Sequence, residues 1–165
     1  MPEYHQNEQA VINFLEKNKI PFKKYAHKPV FTVEESKEIH KEIAGIHAKS
    51  LFLKDGKGRF YLCCIPAEKK LNTNSLRKFL KLGKLRFSTA EELLSELNLT
   101  PGSVSLFGML NAKNTTLILD KALAEADAVG FHPNINTSTY VLSKADLEKV
   151  CKLLSPGYLV FEVSE

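Results

Sequence analysis

The order of its segments predicts that this chain of 165 residues folds as a single mixed α/β (α+β) domain. The strongest signal is a hairpin, because the turn Gly56-Lys57-Gly58 joins two apolar strands at 48–55 and 59–65. Further strands and short helices follow in irregular order rather than in regular alternation. No repeat, low-complexity tract or linker divides the chain, so one domain is expected to span 1–165.

Apolar spacing, capping residues and turn residues place the remaining elements. Helices are expected near 7–18, 32–40, 74–82, 88–97 and 143–153. Strands are expected near 22–26, 85–87, 115–119, 128–132, 138–142 and 158–163. A turn or short helix should occupy 121–125, and 100–108 should be a loop with small residues at both ends. The predicted fold is therefore a mixed sheet flanked by short helices.

Composition sets broad bounds on the function. The formal net charge of +4 is a mild basic excess that permits contact with RNA without requiring it. No apolar window reaches the length of a membrane span, and the N-terminal residues do not resemble a signal peptide. Cys63 and Cys64 are adjacent on a predicted buried strand, which is typical of a reducing compartment. We therefore expect a cytoplasmic protein that binds neither membrane nor DNA.

Several classes of catalytic site are disfavoured by their missing motifs. The five histidines are not spaced with one another or with cysteine like a zinc site. The chain has no Gly-x-Ser-x-Gly elbow and no phosphate-binding glycine loop. The mid-strand cysteines should be inert thiols. We expect no metal and no cofactor.

Lys49 is the first candidate for a functional residue. Side chains alternate along a strand, so Lys49 shares a face with Leu51 and Leu53. If that face is the core face, the ammonium heads an apolar row and needs water, a partner or a ligand. A lysine at a strand end that simply reaches solvent is the structural alternative.

Two other stretches and a basic cluster have both a functional and a structural interpretation. The small residues from Pro101 to Gly108 can present backbone amides to a ligand carbonyl, or can form a plain connection. His132 is held extended by the following proline, which gives the imidazole a defined direction, while a surface histidine at a strand end is the structural alternative. Asn134 can contact a polar ligand or make a turn. Basic residues between Lys69 and Arg86 fit RNA phosphates or a solvated helix face.

Four motifs in register carry a resemblance to a known family. They are Thr32-Val33-Glu34-Glu35, the strand Ala48–Asp55, the stretch Pro101–Asn111 and the stretch Phe131–Thr139. Together they resemble the YbaK/ProRS-associated editing domains, in particular the branch of free-standing prolyl-tRNA editing proteins of the ProX type (PrdX, ProXp-ala). The resemblance covers nearly the whole chain. It implies a single YbaK-like domain with a mixed, partly barrel-like sheet.

The resemblance implies an aminoacyl-tRNA deacylase that hydrolyses the ester of mischarged tRNA for proline. Alanine is the expected amino acid, because a synthetase pocket discriminates small side chains weakly and a second hydrolytic site corrects the error. The implied partners are the 3′ acceptor end of the aminoacylated tRNA and prolyl-tRNA synthetase. The implied nucleophile is water.

The resemblance also implies site residues. Lys49 would hold the phosphate or ribose end of the ligand, Gly102 would open a loop whose amides face the aminoacyl carbonyl, and His132 would lie near the α-amino group. Leu106 stands where the family loop has proline, and Ser50 where this branch often has asparagine. The expected substrate contacts are Ser50, Ser103, Val104, Ser105, Leu106, Phe107, Gly108 and Asn134.

Two alternatives stay open at the level of sequence. The chain could be a non-catalytic tRNA-binding or regulatory module, or an editing domain excised from a fused synthetase. It could also act on Cys-tRNA for proline instead of Ala-tRNA.

Overall fold

The computed structural model describes residues 3–26, 45–133 and 138–165. Its helices are α1 (Glu3–Lys17), α2 (Thr73–Leu80), α3 (Ala90–Leu97), α4 (Lys121–Glu125), α5 (Lys144–Leu154) and a 3₁₀ helix (Leu106–Leu110). Its strands are β1 (Lys23–Ala26), β2 (Ile46–Asp55), β3 (Phe60–Pro66), β4 (Leu85–Phe87), β5 (Thr115–Asp120), β6 (Ala128–Phe131), β7 (Ser138–Ser143) and β8 (Leu159–Phe161). The mixed α/β fold is as predicted.

One mixed sheet forms the frame of the molecule, with strand order β1-β7-β6-β2-β3-β5-β8. Along one side, β2 pairs antiparallel with β3 from Ala48 to Lys54. Along the other side, β2 pairs with two different strands: β6 runs parallel to it at Ile46 and His47, and β4 runs antiparallel to it from Leu53 to Asp55. The strand β2 therefore joins the two halves of the sheet.

Between these two pairings β2 has an open edge. In the described part of the chain, no strand pairs with residues 48–52 on the side away from β3. The carbonyl of His47 accepts from the Ala67 amide on the β3 side, and the Asp55 amide donates to the Arg59 carbonyl there. Backbone groups alternate along a strand, so the amide and carbonyl of Ser50 point toward the open edge.

Apolar residues cover both faces of the β2–β3 hairpin. Phe52 and Cys64 belong to the larger core cluster, which also contains residues of α1, α3 and the 3₁₀ helix. Leu53 and Ile65 lie on the other face, in a second cluster closed by Leu76 of α2. The sequence left open whether the Leu51/Leu53 face is a core face, and the structure shows that both faces of the hairpin are, because helices pack against both sides of the sheet.

Some element boundaries differ from the predicted ones. The predicted helix at 32–40 lies outside the described residues. Helix α2 ends at Leu80 because Lys81 adopts a left-handed conformation with φ 57°, where a stop near Gly83 was expected. The predicted loop after Gly102 contains the 3₁₀ helix, whose first turn is capped by Ser105. None of the helices in the described ranges has the length and apolarity needed to cross a bilayer.

Candidate active site

A cavity of about 390 Å³ opens at the unpaired edge of β2. Its walls are formed by residues 49–52 of β2, residues 87–90 with Leu93, the loop residues Pro101, Gly102 and Val104, and His132. The open edge exists because β4 and β6 pair with different ends of β2. The cavity is therefore a product of the sheet topology, and it brings together segments that lie far apart in the sequence.

Lys49 lines this cavity, and its side chain is half-buried. Within the described ranges, no acidic side chain forms an ion pair with it. Burial, and then the positive charge of nearby Lys70, lower the pKa of the Lys49 ammonium. Partial desolvation and a neighbouring positive charge both destabilise the charged form of the Lys49 side chain. The ammonium is suited to receive an anionic group of a ligand.

Gly102 lies in a tight turn that reaches the cavity. The Ser103 amide donates to the Thr100 carbonyl at 3.1 Å, and Gly102 adopts φ +93°. With Pro101 before it, this is the pattern of a type II turn, which places glycine at its third position because the conformation is left-handed. The sequence Thr100-Pro101-Gly102-Ser103 thus dictates the local shape of the cavity wall.

The turn leaves two amides available to a ligand. The Ser103 amide is used inside the turn, the Phe107 amide donates to Ser105 Oγ, and the Gly108 amide donates to the Ser105 carbonyl. For Gly102 and Val104, which both line the cavity, no protein acceptor is present among the described residues. Two such amides can stabilise negative charge that develops on a carbonyl oxygen.

The rest of the predicted loop contributes structure behind the wall. Ser103 is half-buried but lies outside the cavity lining. Leu106 and Phe107 are fully buried in the larger core cluster. Gly108 packs closely there, since an added Cβ would come within 3.0 Å of Leu99 Cδ1. Ser105 caps the 3₁₀ helix through its side chain. These side chains position the loop rather than face the cavity.

His132 also lines the cavity and is half-buried. Its Nδ1 lies 3.0 Å from the carbonyl oxygen of Ser138, on the first residue of β7. The next residue, Pro133, is buried, while Asn134 lies outside the described residues. The fold therefore brings five of the predicted site residues to one cavity: Lys49, Ser50, Gly102, Val104 and His132.

The hydroxyl and thiol groups near the cavity are not poised as nucleophiles. Ser50 Oγ lies 3.3 Å from Cys64 Sγ, on the face of β2 that belongs to the larger core. Burial raises the pKa of the Cys64 thiol to about 12 and raises the pKa of Cys63 further. A buried thiol with a raised pKa is unreactive at neutral pH. The cysteines are core residues, and no three His, Cys, Asp or Glu side chains in the described ranges form a metal-binding group.

Sequence reasoning missed one wall, which runs from Phe87 to Leu93. Thr89 and Glu92 form a capping box at the start of α3, and the Glu92 carboxylate also receives Lys54 Nζ at 2.6 Å and the Arg86 guanidinium at 2.9 Å. These contacts, led by Arg86, hold the pKa of Glu92 well below its usual range. The sequence predicted a helix that starts at Ser88, one residue before the observed cap Thr89, but the position of this helix beside β2 depends on the β2–β4 pairing.

A comparison with family models gives a match to the aminoacyl-tRNA editing domain over residues 27–150. The chain belongs to this family. A prolyl-tRNA editing protein ProX from Acetoanaerobium sticklandii is 40% identical over 147 residues, which cover 87% of this chain and 90% of the relative. The Bos taurus prolyl-tRNA synthetase associated domain-containing protein 1 is 33% identical over 126 residues, 73% of this chain and 74% of the relative.

Solved structures show the same fold for this member of the editing-domain family. The crystal structure of a candidate trans-editing enzyme for prolyl-tRNA synthetase superposes with a TM-score of 0.77 at 17% identity, and the match covers 100% of this chain and 99% of the other. The mixed sheet predicted from the resemblance is confirmed at the level of the fold.

Proposed function

We propose that this chain is an aminoacyl-tRNA deacylase that hydrolyses the ester of mischarged tRNA for proline, with alanine as the preferred amino acid. The observation that carries the proposal is the convergence of Lys49, Gly102 and His132 on one cavity at the open edge of β2. The family match and the prolyl-tRNA editing relative support the reaction class.

The reaction is the hydrolysis of an ester. A water molecule attacks the aminoacyl carbonyl carbon, and the carbonyl oxygen becomes negatively charged in the tetrahedral intermediate. The bond from carbon to the ribose oxygen then breaks, and the ribose oxygen takes up one proton of the attacking water. The other proton passes from the new carboxyl group to solvent, and the amino acid leaves as a carboxylate. The protein has to bind the ester, stabilise the oxyanion and orient the water.

The amides of Gly102 and Val104 are suited to the oxyanion. Both residues line the cavity, and the turn at Thr100–Ser103 fixes the backbone conformation of Gly102. Backbone donors that are preorganised by a turn need no rearrangement as charge develops, which is the source of their catalytic effect. The side chains of Leu106 and Phe107 anchor this turn in the core from behind.

Lys49 is suited to the anionic end of the same ligand. Its half-buried ammonium has no acidic partner in the described part of the chain, and Lys70 adds positive charge next to it. A terminal nucleotide of tRNA carries a phosphate one ribose away from the ester. A charge-assisted contact from Lys49 to that phosphate would fix the position of the ester over Gly102. Lys49 then acts by positioning and electrostatics, not as a base.

The amino acid side chain would meet an apolar surface. Phe52, Leu93 and Val104 contribute to the cavity wall, and Ser50 adds one hydroxyl. Such a surface accepts a methyl group and gives a polar or large side chain no matching partner. Cysteine is larger than alanine by one sulfur atom, an increment similar to a methylene, and discrimination of that size is worth only about 10–200-fold. The preference for alanine over cysteine is therefore expected to be graded.

The test is a panel of charged tRNAs for proline that carry alanine, cysteine or proline, with a blank that contains no protein. The proposal predicts fastest release of alanine and slow or no release of proline. Faster release of cysteine would reassign the substrate within the same reaction. Binding of the tRNA without release of any amino acid would overturn the enzymatic function in favour of a binding module.

A further inference from the structure

We propose that Phe87 is a stacking platform for the adenine base of the terminal nucleotide. This inference rests on the proposed function, since it assigns the part of the tRNA that lies next to the ester. Phe87 lies on the rim of the cavity and is 55% exposed. It is the last residue of β4, where neither the capping box of α3 nor the Gly102 turn requires an aromatic side chain.

The exposed ring has no stacking partner in the part of the chain that the structure describes. Phe79 is 48% exposed but stacks on Phe161 with ring centroids 4.6 Å apart. For Phe87, neither a ring contact nor a cation is present among the described residues. An isolated exposed aromatic residue at the mouth of a cavity offers a free π-face, and such faces are the usual platforms for unstacked bases.

The backbone under the ring is held in place. Phe87 pairs with Leu53 of β2, and the next amide, that of Ser88, donates to the Phe52 carbonyl at 2.9 Å. The preceding residue, Arg86, is anchored by Glu92. A platform of this kind binds a base without a large ordering cost, because its backbone is already fixed.

The geometry places the ring on the same side of the sheet as Lys49. Residues that lie directly opposite each other in a strand pair share a face, so Phe87 shares the face of Leu53. Alternation along β2 puts Lys49 on that face as well. Lys49 and Leu53 are four positions apart, a distance of about 13 Å along the strand, which one nucleotide and a lysine side chain can bridge.

In this arrangement, different parts of the ligand lie on the two faces of the sheet at the open edge of β2. The phosphate would lie at Lys49 and the base at Phe87, both on the face of Leu51 and Leu53. The amino acid would enter through the gap toward Gly102 and His132, on the face of Phe52 and the larger core. The unpaired stretch 48–52 is what allows a ligand to occupy both sides of the sheet.

The direct test uses tryptophan fluorescence, since the natural chain contains no tryptophan. Phe87→Trp supplies a single reporter that keeps an aromatic ring at the rim. We expect its emission to be quenched by a short oligonucleotide that ends in CCA, and to stay unchanged with the same oligonucleotide lacking the terminal base. Leu153→Trp, on exposed α5 outside the cavity, is the matched control and should not respond to either. Equal responses of the Phe87→Trp variant to both oligonucleotides, or no response, would overturn the assignment.

Kinetics give a second and independent test. Phe87→Leu keeps apolar area but removes the π-face, and we expect it to raise KM for Ala-tRNA about 10-fold while kcat changes less than about threefold. Phe87→Tyr should restore the wild-type KM. An unchanged KM in Phe87→Leu would contradict the proposal even if Phe87→Trp failed to fold. If the Phe87→Trp variant is quenched but the wild-type protein hydrolyses no charged tRNA, the proposed base site is supported and the proposed deacylase activity is overturned.

Discussion

The Nδ1 atom of His132 lies 3.0 Å from the carbonyl oxygen of Ser138. A carbonyl oxygen can only accept, so Nδ1 is the donor and carries the proton. In its neutral form the ring then has its lone pair at Nε2, and its orientation is fixed by the first residue of β7. Such a ring can accept a hydrogen bond from a substrate ammonium or from water.

This bond allows the two roles of His132 to be separated. In His132→Asn the side-chain amide can replace the Nδ1 donor but offers nothing at the position of Nε2, whereas His132→Ala loses both. If Nε2 contacts the substrate, kcat/KM for ester hydrolysis falls about 10–100-fold in both variants. Wild-type turnover by His132→Asn with a loss in His132→Ala would show that the residue only tethers β7.

Gly102→Ala should slow hydrolysis through backbone strain alone. An added Cβ meets no atom within 4 Å, but the residue has φ +93°, a conformation that disfavours any Cβ. We expect a loss of about 1–2 kcal/mol in the free energy of unfolding, and a lower kcat because the turn shifts. Gly157→Ala is the matched control, since its surroundings are equally open and its φ lies outside the left-handed range. Equal effects of the two substitutions on urea unfolding would contradict the strain argument.

Asp55 is expected to make the free energy of unfolding depend on pH in the acidic range. Its carboxylate accepts from the Lys57 and Arg59 amides, from Arg59 Nε and from Tyr61 Oη. Although burial works against the charged form, these bonds lower the pKa of Asp55 from 3.8 to about 2. The stabilisation is therefore complete above pH 3.8 and is lost as the pH falls toward 2.

The check is urea unfolding of the wild type and Asp55→Asn between pH 7 and pH 2. The variant should be less stable at neutral pH, and the difference between the two proteins should shrink on acidification. A difference that stays constant across this range would refute the role of the charge. Tyr61→Phe removes one of the donors and should move the loss of stability to higher pH.

Glu96 fixes the segment that follows the 3₁₀ helix. This buried carboxylate accepts from the Lys113 amide at 2.9 Å, from the Asn114 amide at 2.6 Å and from Thr115 Oγ1 at 2.6 Å. Glu96→Ala leaves these donors without their acceptor, and we expect it to cost about 1–3 kcal/mol in the free energy of unfolding. Glu91→Ala, exposed on the same helix, serves as the control and should change stability little. Similar unfolding midpoints for the two variants would contradict this role.

Local signals explain why much of the fold could be predicted. The hairpin β2–β3 follows from two apolar runs joined by a glycine-containing turn. Helix α3 follows from its capping signal and leucine spacing, although the sequence placed the cap at Ser88, one residue before the observed cap Thr89. The role of Ser105 was also local, since a serine two residues before the Phe107 amide is a frequent cap. From the sequence, a ligand contact rather than a capping role was predicted for Ser105, because the small residues of this loop were interpreted as possible ligand contacts.

Predicting the cavity would have required knowledge of contacts between segments that are distant in the sequence. The opening of the cavity depends on β2 pairing with β6 at Ile46 and with β4 at Leu53, and these partners lie far away along the chain. Nothing near Phe87 in the sequence indicates that it reaches a cavity rim, because β4 is only three residues long. Lys49, Gly102 and His132 were brought together by the family resemblance, and spacing alone left each with a structural alternative.

The most direct test of the role of Lys49 is hydrolysis of Ala-tRNA for proline by Lys49→Met and Lys49→Arg. We expect Lys49→Met to lower kcat/KM about 100-fold or more, while its unfolding midpoint is unchanged or higher because a half-buried charge next to Lys70 is removed. Lys49→Arg should retain part of the activity, and Glu91→Ala should match the wild type. Hydrolysis by Lys49→Met at the wild-type rate would contradict the proposal that this cation holds the substrate at the open edge of β2.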